Sequence, residues 1–182
     1  TTQQNHYPAH LGIVEQGKIH CLKGEYQKAL YHFREGIRLA VTAKSPDIFF
    51  LHYTQCVMEC LELAGHHVEV LQYCSRMEDF LQLHPNPETE DLLLQVWERK
   101  GIQHHLLGDR SAALELFRKV TAGGSSKQHP IAWEMHGWLT RNYTVSKEKL
   151  NALQAKHFYF TIRKDSINED RATPLPAILP NL

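Results

Sequence analysis

Two stretches of the chain, around residues 17–33 and 101–117, repeat one spacing of glycine, alanine and phenylalanine. In each stretch two glycines are seven residues apart, an alanine follows the second glycine by five residues, and a phenylalanine follows the alanine by four. Such internal similarity is the signature of a repeat architecture. The residues are Gly17, Gly24, Ala29 and Phe33 in the first stretch, and Gly101, Gly108, Ala113 and Phe117 in the second.

Two weaker copies fit the same pattern. Gly65 lies 41 residues after the second glycine of the first stretch and 43 before the matching glycine of the other. A partial fourth copy starts at Trp133 and Gly137, but its second half is lost.

The repeat predicts a pair of antiparallel helices in each copy. A glycine between two helical patterns can adopt the left-handed backbone that ends one helix and turns into the next. Small residues let the two helices approach closely, and the phenylalanine fills the space beside them. We predict equivalent corners at Gly24, Gly65 and Gly108, and helices at about 9–23, 26–43, 47–64, 67–83, 88–107, 109–121, 130–141 and 147–163.

This set of residues resembles the tetratricopeptide repeat family over residues 10 to about 140. The spacing of 41 and 43 residues exceeds the family norm of about 34, so the chain resembles a long-spacing variant. The resemblance implies an all-α fold, a right-handed superhelix of antiparallel helical hairpins. It implies one repeat domain over 1–164, with repeats at about 9–43, 47–83 and 88–121 and a degenerate one at 130–163. The last helix could cap the domain or present a docking face to a partner, and we favour the cap. Three prolines predict an extended tail over 165–182.

The resemblance also implies a binding site, because the first helix of each hairpin lines a concave groove in that family. A groove of mixed polarity suits a peptide or a folded protein better than a lipid. Each groove residue could instead pack on a neighbouring helix. The expected groove residues are Val14, Lys18, Cys21, His52, Gln55, Cys56, Glu59, Gln95, Glu98, Arg99, Ile102 and His105.

One subset of the family grips the acidic C-terminal peptide of chaperones with a clamp of the type Lys, Asn, Asn, Lys and Arg. Only Arg99 matches that clamp in residue type at its place. The basic pair that would grip a terminal carboxylate is missing, so we expect no binding of such a peptide. The clamp positions are Val14, Lys18, Cys56, Gln95 and Arg99.

These features favour an interaction scaffold or adaptor that binds a peptide or protein partner. Two alternatives stay open: a regulatory or sensor module of a larger signalling or transcription protein, and a chaperone for a secreted protein. The sequence has no GxSxG, P-loop, GxGxxG or HExxH motif, so we expect neither an enzyme nor a cofactor.

Composition narrows the partners further. The 20 basic and 20 acidic residues give no net charge, which argues against nucleic acid. The apolar stretches are shorter than the roughly 20 residues that span a bilayer, so we expect no membrane insertion. The 13 histidines are scattered, and we expect no metal site. Three of the four cysteines fall within apolar helical patterns, which predicts free, buried thiols and a reducing, cytoplasmic location.

Residues 171–182 are the unusual feature of the C-terminus. They carry the aliphatic side chains of Leu175, Ile178, Leu179 and Leu182, which are costly to expose to water. Three alternatives are a linker to a further domain, a segment that lies back along its own helices, and a segment that docks on a second copy or a partner. We favour packing on protein.

Overall fold

The computed structural model describes residues 7–177, and within them it contains eight α-helices, two 3₁₀ turns and no β-strand. This confirms the all-α class, whereas the superhelix and its handedness stay predictions. No helix within these residues is long and apolar enough to cross a membrane. The helices are α1 (Ala9–Leu22), α2 (Tyr26–Thr42), α3 (Asp47–Leu63), α4 (His67–Leu83), α5 (Pro87–Leu106), α6 (Arg110–Gly123), α7 (Pro130–Thr140) and α8 (Lys147–Lys156), and the turns span Lys164–Ser166 and Glu169–Arg171.

The three corner glycines adopt the left-handed backbone predicted for them. The φ angle is 74° at Gly24, 83° at Gly65 and 82° at Gly108, a region that other residues enter only at a cost. After the first and third corners, the N–H groups of Glu25 and Asp109 each donate to a carbonyl five residues earlier, at 2.9 Å. These bonds satisfy carbonyls at the helix end, so the same residue types produce equivalent corners.

Two hairpins also share one close contact between their helices. A Cβ atom on Gly17 would lie 2.7 Å from the ring of Phe33, and one on Gly101 would lie 2.6 Å from the ring of Phe117. Both rings are fully buried. The glycine in the first helix therefore makes room for the phenylalanine of the second helix in α1–α2 and in α5–α6.

The helices form two compact units. The first unit comprises residues 7–64 and 161–177 and contains α1, α2, α3 and both 3₁₀ turns; the second comprises residues 65–160 and contains α4 to α8. Within the first unit α1 packs on α2 and α2 on α3, and within the second α4 to α7 pack in chain order. Helix α8 adds Leu150 and Leu153 to the core around Met135 of α7 and Phe117 of α6.

The last helix is shorter than predicted. It ends at Lys156 and not near residue 163, because Phe158 has a φ of 52°, outside the range of a right-handed helix. The prediction that the chain after residue 165 contains no helical turn is also wrong, since two 3₁₀ turns interrupt an otherwise extended course. These turns lie ahead of the first tail proline, Pro174, so no proline prevents them.

Candidate peptide-binding surface of the first unit

Residues 161–177, called the tail segment below, lie on the helices of the first unit. Of the three alternatives for the C-terminus, the structure shows the return along the chain's own helices, as far as residue 177. Ile178, Leu179 and Leu182 lie outside the described residues. Five main-chain N–H groups of the tail segment donate to α1, α2 and α3: those of Thr161, Ile162, Asn168, Thr173 and Leu175.

Glu59 on α3 holds the start of the tail segment. Its carboxylate accepts the N–H of Thr161 at 2.8 Å and the N–H of Ile162 at 3.1 Å, one on each oxygen. The hydroxyl group of Thr161 lies 3.0 Å from the same carboxylate, and the amide of Gln55 donates to it at 3.4 Å. Glu59 is fully buried. A buried carboxylate needs such donors, since leaving it without them costs several kcal/mol.

Glu15 on α1 holds the middle of the tail segment. One carboxylate oxygen pairs with the ammonium group of Lys18 at 2.9 Å, and the other accepts the N–H of Asn168 at 2.8 Å. Glu15 and Lys18 are each only 6% exposed. Their mutual charge compensation permits this burial and leaves one oxygen for a main-chain donor.

His52 on α3 lies beside this ion pair and is held neutral. The pKa of His52 is lowered to about 4, chiefly by burial and in addition by the positive charge of Lys18, while Glu15 acts in the opposite direction. Its Nε2 lies 3.9 Å from the sulfur of Cys56. A neutral imidazole at this place keeps a second cation away from Lys18.

The C-terminal part of the tail segment runs against α1 at Gly12. The carbonyl of Gly12 accepts the N–H of Thr173 at 3.0 Å. A Cβ atom on Gly12 would lie 2.5 Å from the carbonyl oxygen of Arg171 and 2.7 Å from the hydroxyl of Thr173. Glycine at this position is therefore required for the tail segment to approach the helix so closely.

His32 on α2 accepts the last of the five N–H groups. Its Nδ1 lies 2.7 Å from the carbonyl of Lys28, which can only accept, so Nδ1 carries the proton. Its Nε2 then accepts the N–H of Leu175 at 3.1 Å. Burial lowers the pKa of His32, which keeps the accepting nitrogen unprotonated.

The other predicted groove residues of the first unit belong to its interior. Val14, Cys21 and Cys56 are buried. A hydrogen bond with Cys60 and then burial raise the pKa of Cys21, and burial raises that of Cys56. Both thiols are therefore protonated at neutral pH and unreactive. All four cysteines of the chain are free and buried, as predicted.

The groove residues predicted on α5 are engaged within the second unit. Gln95 is exposed and donates to Asp91 at 2.9 Å. Ile102 is part of the apolar core, and His105 donates to the carbonyl of Val145 at 2.9 Å.

The two charged groove residues of α5 are almost completely buried. Glu98 accepts the N–H of Ala132, in the first turn of α7, at 3.0 Å, and burial raises its pKa. The guanidinium of Arg99 lies 4.6 Å from the ring centre of Tyr159. Arg99 was the one residue that matched the family's clamp.

Eight of the twelve predicted groove residues are buried, three are half-buried and Gln95 is exposed. Seven belong to the first unit and five to the second. That they line a common groove stays a prediction.

The groove predicted from the sequence includes Glu59 but not the other three residues that contact the tail segment, Gly12, Glu15 and His32. For Glu15 a signal was present: an acidic residue inside an apolar helical pattern, next to Val14.

Comparison of the chain with protein-family models, with curated proteins and with solved structures found no match. The tetratricopeptide resemblance therefore rests on the residues quoted above and stays a prediction. Within residues 7–177 no three histidine, cysteine, aspartate or glutamate side chains are grouped so that they could hold a metal ion.

The arrangement on the first unit can recognise a main chain. Its acceptors are two buried carboxylates, one imidazole nitrogen and one carbonyl, and all of them contact N–H groups of the tail segment, which is extended apart from its two 3₁₀ turns. Main-chain recognition depends on the extended conformation and tolerates many side chains.

Proposed function

We propose that this protein is an interaction adaptor that binds an extended peptide segment of a partner protein on the helices of its first unit. The observation that carries the proposal is the set of five main-chain N–H groups that α1, α2 and α3 accept from the tail segment. A surface that holds one segment through its main-chain N–H groups has the chemistry to hold another.

The charge of the surface sets the kind of segment that it accepts. Two of the groups that meet the tail segment, Glu59 and Glu15, are carboxylates that accept its main-chain N–H groups. A partner segment that is neutral or basic is therefore favoured over an acidic one. The clamp for acidic chaperone peptides has no counterpart here, since Lys18 is paired with Glu15 and Arg99 is buried against Tyr159.

The test is selection of 12-residue peptides from a random library on the full chain, followed by titration and photo-crosslinking. We expect enriched peptides to bind saturably at about 1–100 µM and to crosslink to α1, α2 or α3. Scrambled versions of the enriched peptides are the control for composition. Selection that yields no saturable peptide, or crosslinks confined to residues 65–160, would refute the proposal.

A further inference from the structure

The tail segment is held unevenly along its length. At its start Ile162 is buried, and it is the only buried residue among residues 161–177. Its N–H and that of Thr161 reach the ionised carboxylate of Glu59. Hydrogen bonds to a charged group are stronger than those between neutral groups. The start of the segment is therefore the firm attachment.

The end of the segment has a weaker attachment. Thr173 and Leu175 donate to neutral acceptors, a carbonyl and an imidazole nitrogen. Thr173, Pro174 and Pro176 are exposed, and Leu175 is half-buried. Little apolar surface is buried there, and segments of this kind open locally without unfolding the rest.

At the end of the tail segment, residues that donate a main-chain N–H alternate with prolines that cannot donate one. The two donors, Thr173 and Leu175, are two residues apart, so in an extended chain their N–H groups point to the same side. The residues between and after them are Pro174 and Pro176, which have no N–H to donate. Proline also fixes the extended conformation in advance, so that less conformational freedom is lost on binding.

We propose that Gly12 and His32 form a binding site for an extended partner segment of the pattern x-Pro-aliphatic-Pro, and that the chain's own Thr-Pro-Leu-Pro at 173–176 is a displaceable occupant of this site. The partner segment donates the N–H groups of x and of the aliphatic residue to the carbonyl of Gly12 and to Nε2 of His32. This inference rests on the proposed function and names the segment that the adaptor takes.

Occupation by the tail reduces the apparent affinity for a partner. The tail competes at an effective concentration of about millimolar, as a short tether does. The apparent affinity for a partner is the intrinsic affinity multiplied by the fraction of open sites. Removing the tail's two donors should therefore raise the affinity for a peptide added in solution.

The test uses a labelled, end-blocked peptide of sequence RATPLPA, which reproduces residues 171–177, and two full-length variants. The donor-free chain carries Thr173→Pro and Leu175→Pro, which keep the backbone extended but remove both N–H groups. The matched control carries Thr173→Val and Leu175→Val, which change the same side chains and keep both donors. We expect the peptide to bind the donor-free chain at least about tenfold more tightly than the control.

Further substitutions locate the site on the donor-free chain. Gly12→Ala should abolish binding, because the three atoms nearest the new Cβ all belong to the tail segment, which the peptide replaces. Gly137→Ala, whose Cβ would meet only the Arg141 side chain at 3.7 Å, should leave binding unchanged. N-methylation of the leucine in the peptide should weaken binding at least about tenfold, and N-methylation of its last alanine should not.

The inference would be overturned if RATPLPA bound the donor-free chain and the control with equal affinity. It would also be overturned if N-methylation of the leucine and of the last alanine changed the affinity of the peptide equally. If the donor-free chain does not melt cooperatively, hydrogen exchange on the unaltered chain decides the question. The amides of Thr173 and Leu175 must then exchange faster than that of Ile162, and equal protection of all three refutes a displaceable end. If the peptide RATPLPA does not bind but library peptides crosslink to α1, α2 or α3, only this inference is refuted. If neither RATPLPA nor any library peptide binds, the proposed function is refuted as well.

Discussion

The contact between Gly101 and Phe117 gives the sharpest test of how this chain forms its repeats. We propose the substitution Gly101→Ala, which adds one methyl group in the middle of α5. The new Cβ would lie 2.6, 2.9 and 2.9 Å from three carbons of the Phe117 ring, which is fully buried. Overpacking of this kind costs about 1–3 kcal/mol.

A second effect has the opposite sign. Alanine in a helix interior is about 1 kcal/mol more favourable than glycine. Gly137→Ala in α7 isolates this effect, because its Cβ would have only one neighbour within 4 Å, the Arg141 side chain at 3.7 Å. We expect Gly137→Ala to stabilise by up to about 1 kcal/mol and Gly101→Ala to be destabilising by up to about 2 kcal/mol.

The assay is urea unfolding followed by tryptophan fluorescence. All three tryptophans, Trp97, Trp133 and Trp138, lie in the second unit with both glycines, so one signal reports both variants. Phe117→Leu should reduce the cost of Gly101→Ala, since a smaller side chain leaves room for the methyl group. A Gly101→Ala protein as stable as Gly137→Ala would refute close packing as the reason for glycine in the repeat.

Three further predictions follow from single residues. Since the pKa of His52 is about 4 when folded and about 6.5 when unfolded, the free energy of unfolding should fall by roughly 3 kcal/mol as pH drops from 6.5 to 4; His52→Gln should flatten this dependence in circular-dichroism melts. Gly108→Ala should cost about 1–2 kcal/mol in urea unfolding, because φ is 82° with open space around it. Asp109→Ala should cost about 1 kcal/mol by losing the cap on the N–H of Ala112, and Asp109→Asn should cost less.

The helices and their corners could be predicted because their causes are local. Left-handed glycines, apolar periodicity and proline breaks are all encoded within a few residues, and seven of the eight helices end within two residues of the prediction. The last helix could not be predicted in the same way. Its apolar pattern continues through Phe160 and Ile162, but Phe158 leaves the helical region, and Ile162 donates its N–H to Glu59 instead.

The contacts of the tail segment had no local signal. Glu15 and Asn168 are 153 residues apart, and Glu59 and Thr161 are 102 residues apart. A repeat register places residues on a helix, but it does not reveal which distant segment returns to them. The repeat register therefore predicted that Glu59 contacts a peptide, but it predicted a peptide of a partner protein. In this structure Glu59 accepts N–H groups of the chain's own backbone.

Buried acidic residues in the first helices of the hairpins carry information that the register lacks. Four such residues are buried: Glu15 on α1, Glu59 and Glu62 on α3, and Glu98 on α5. Three of them, Glu15, Glu59 and Glu98, each accept a main-chain N–H from a segment at least 34 residues away. An ionised carboxylate inside an apolar helix pattern is stable only where donors reach it. Such a residue therefore marks the place where another piece of backbone arrives. Two of the three carboxylates receive the tail segment, which is why the first unit, and not the whole set of predicted groove residues, is where we expect a partner to bind.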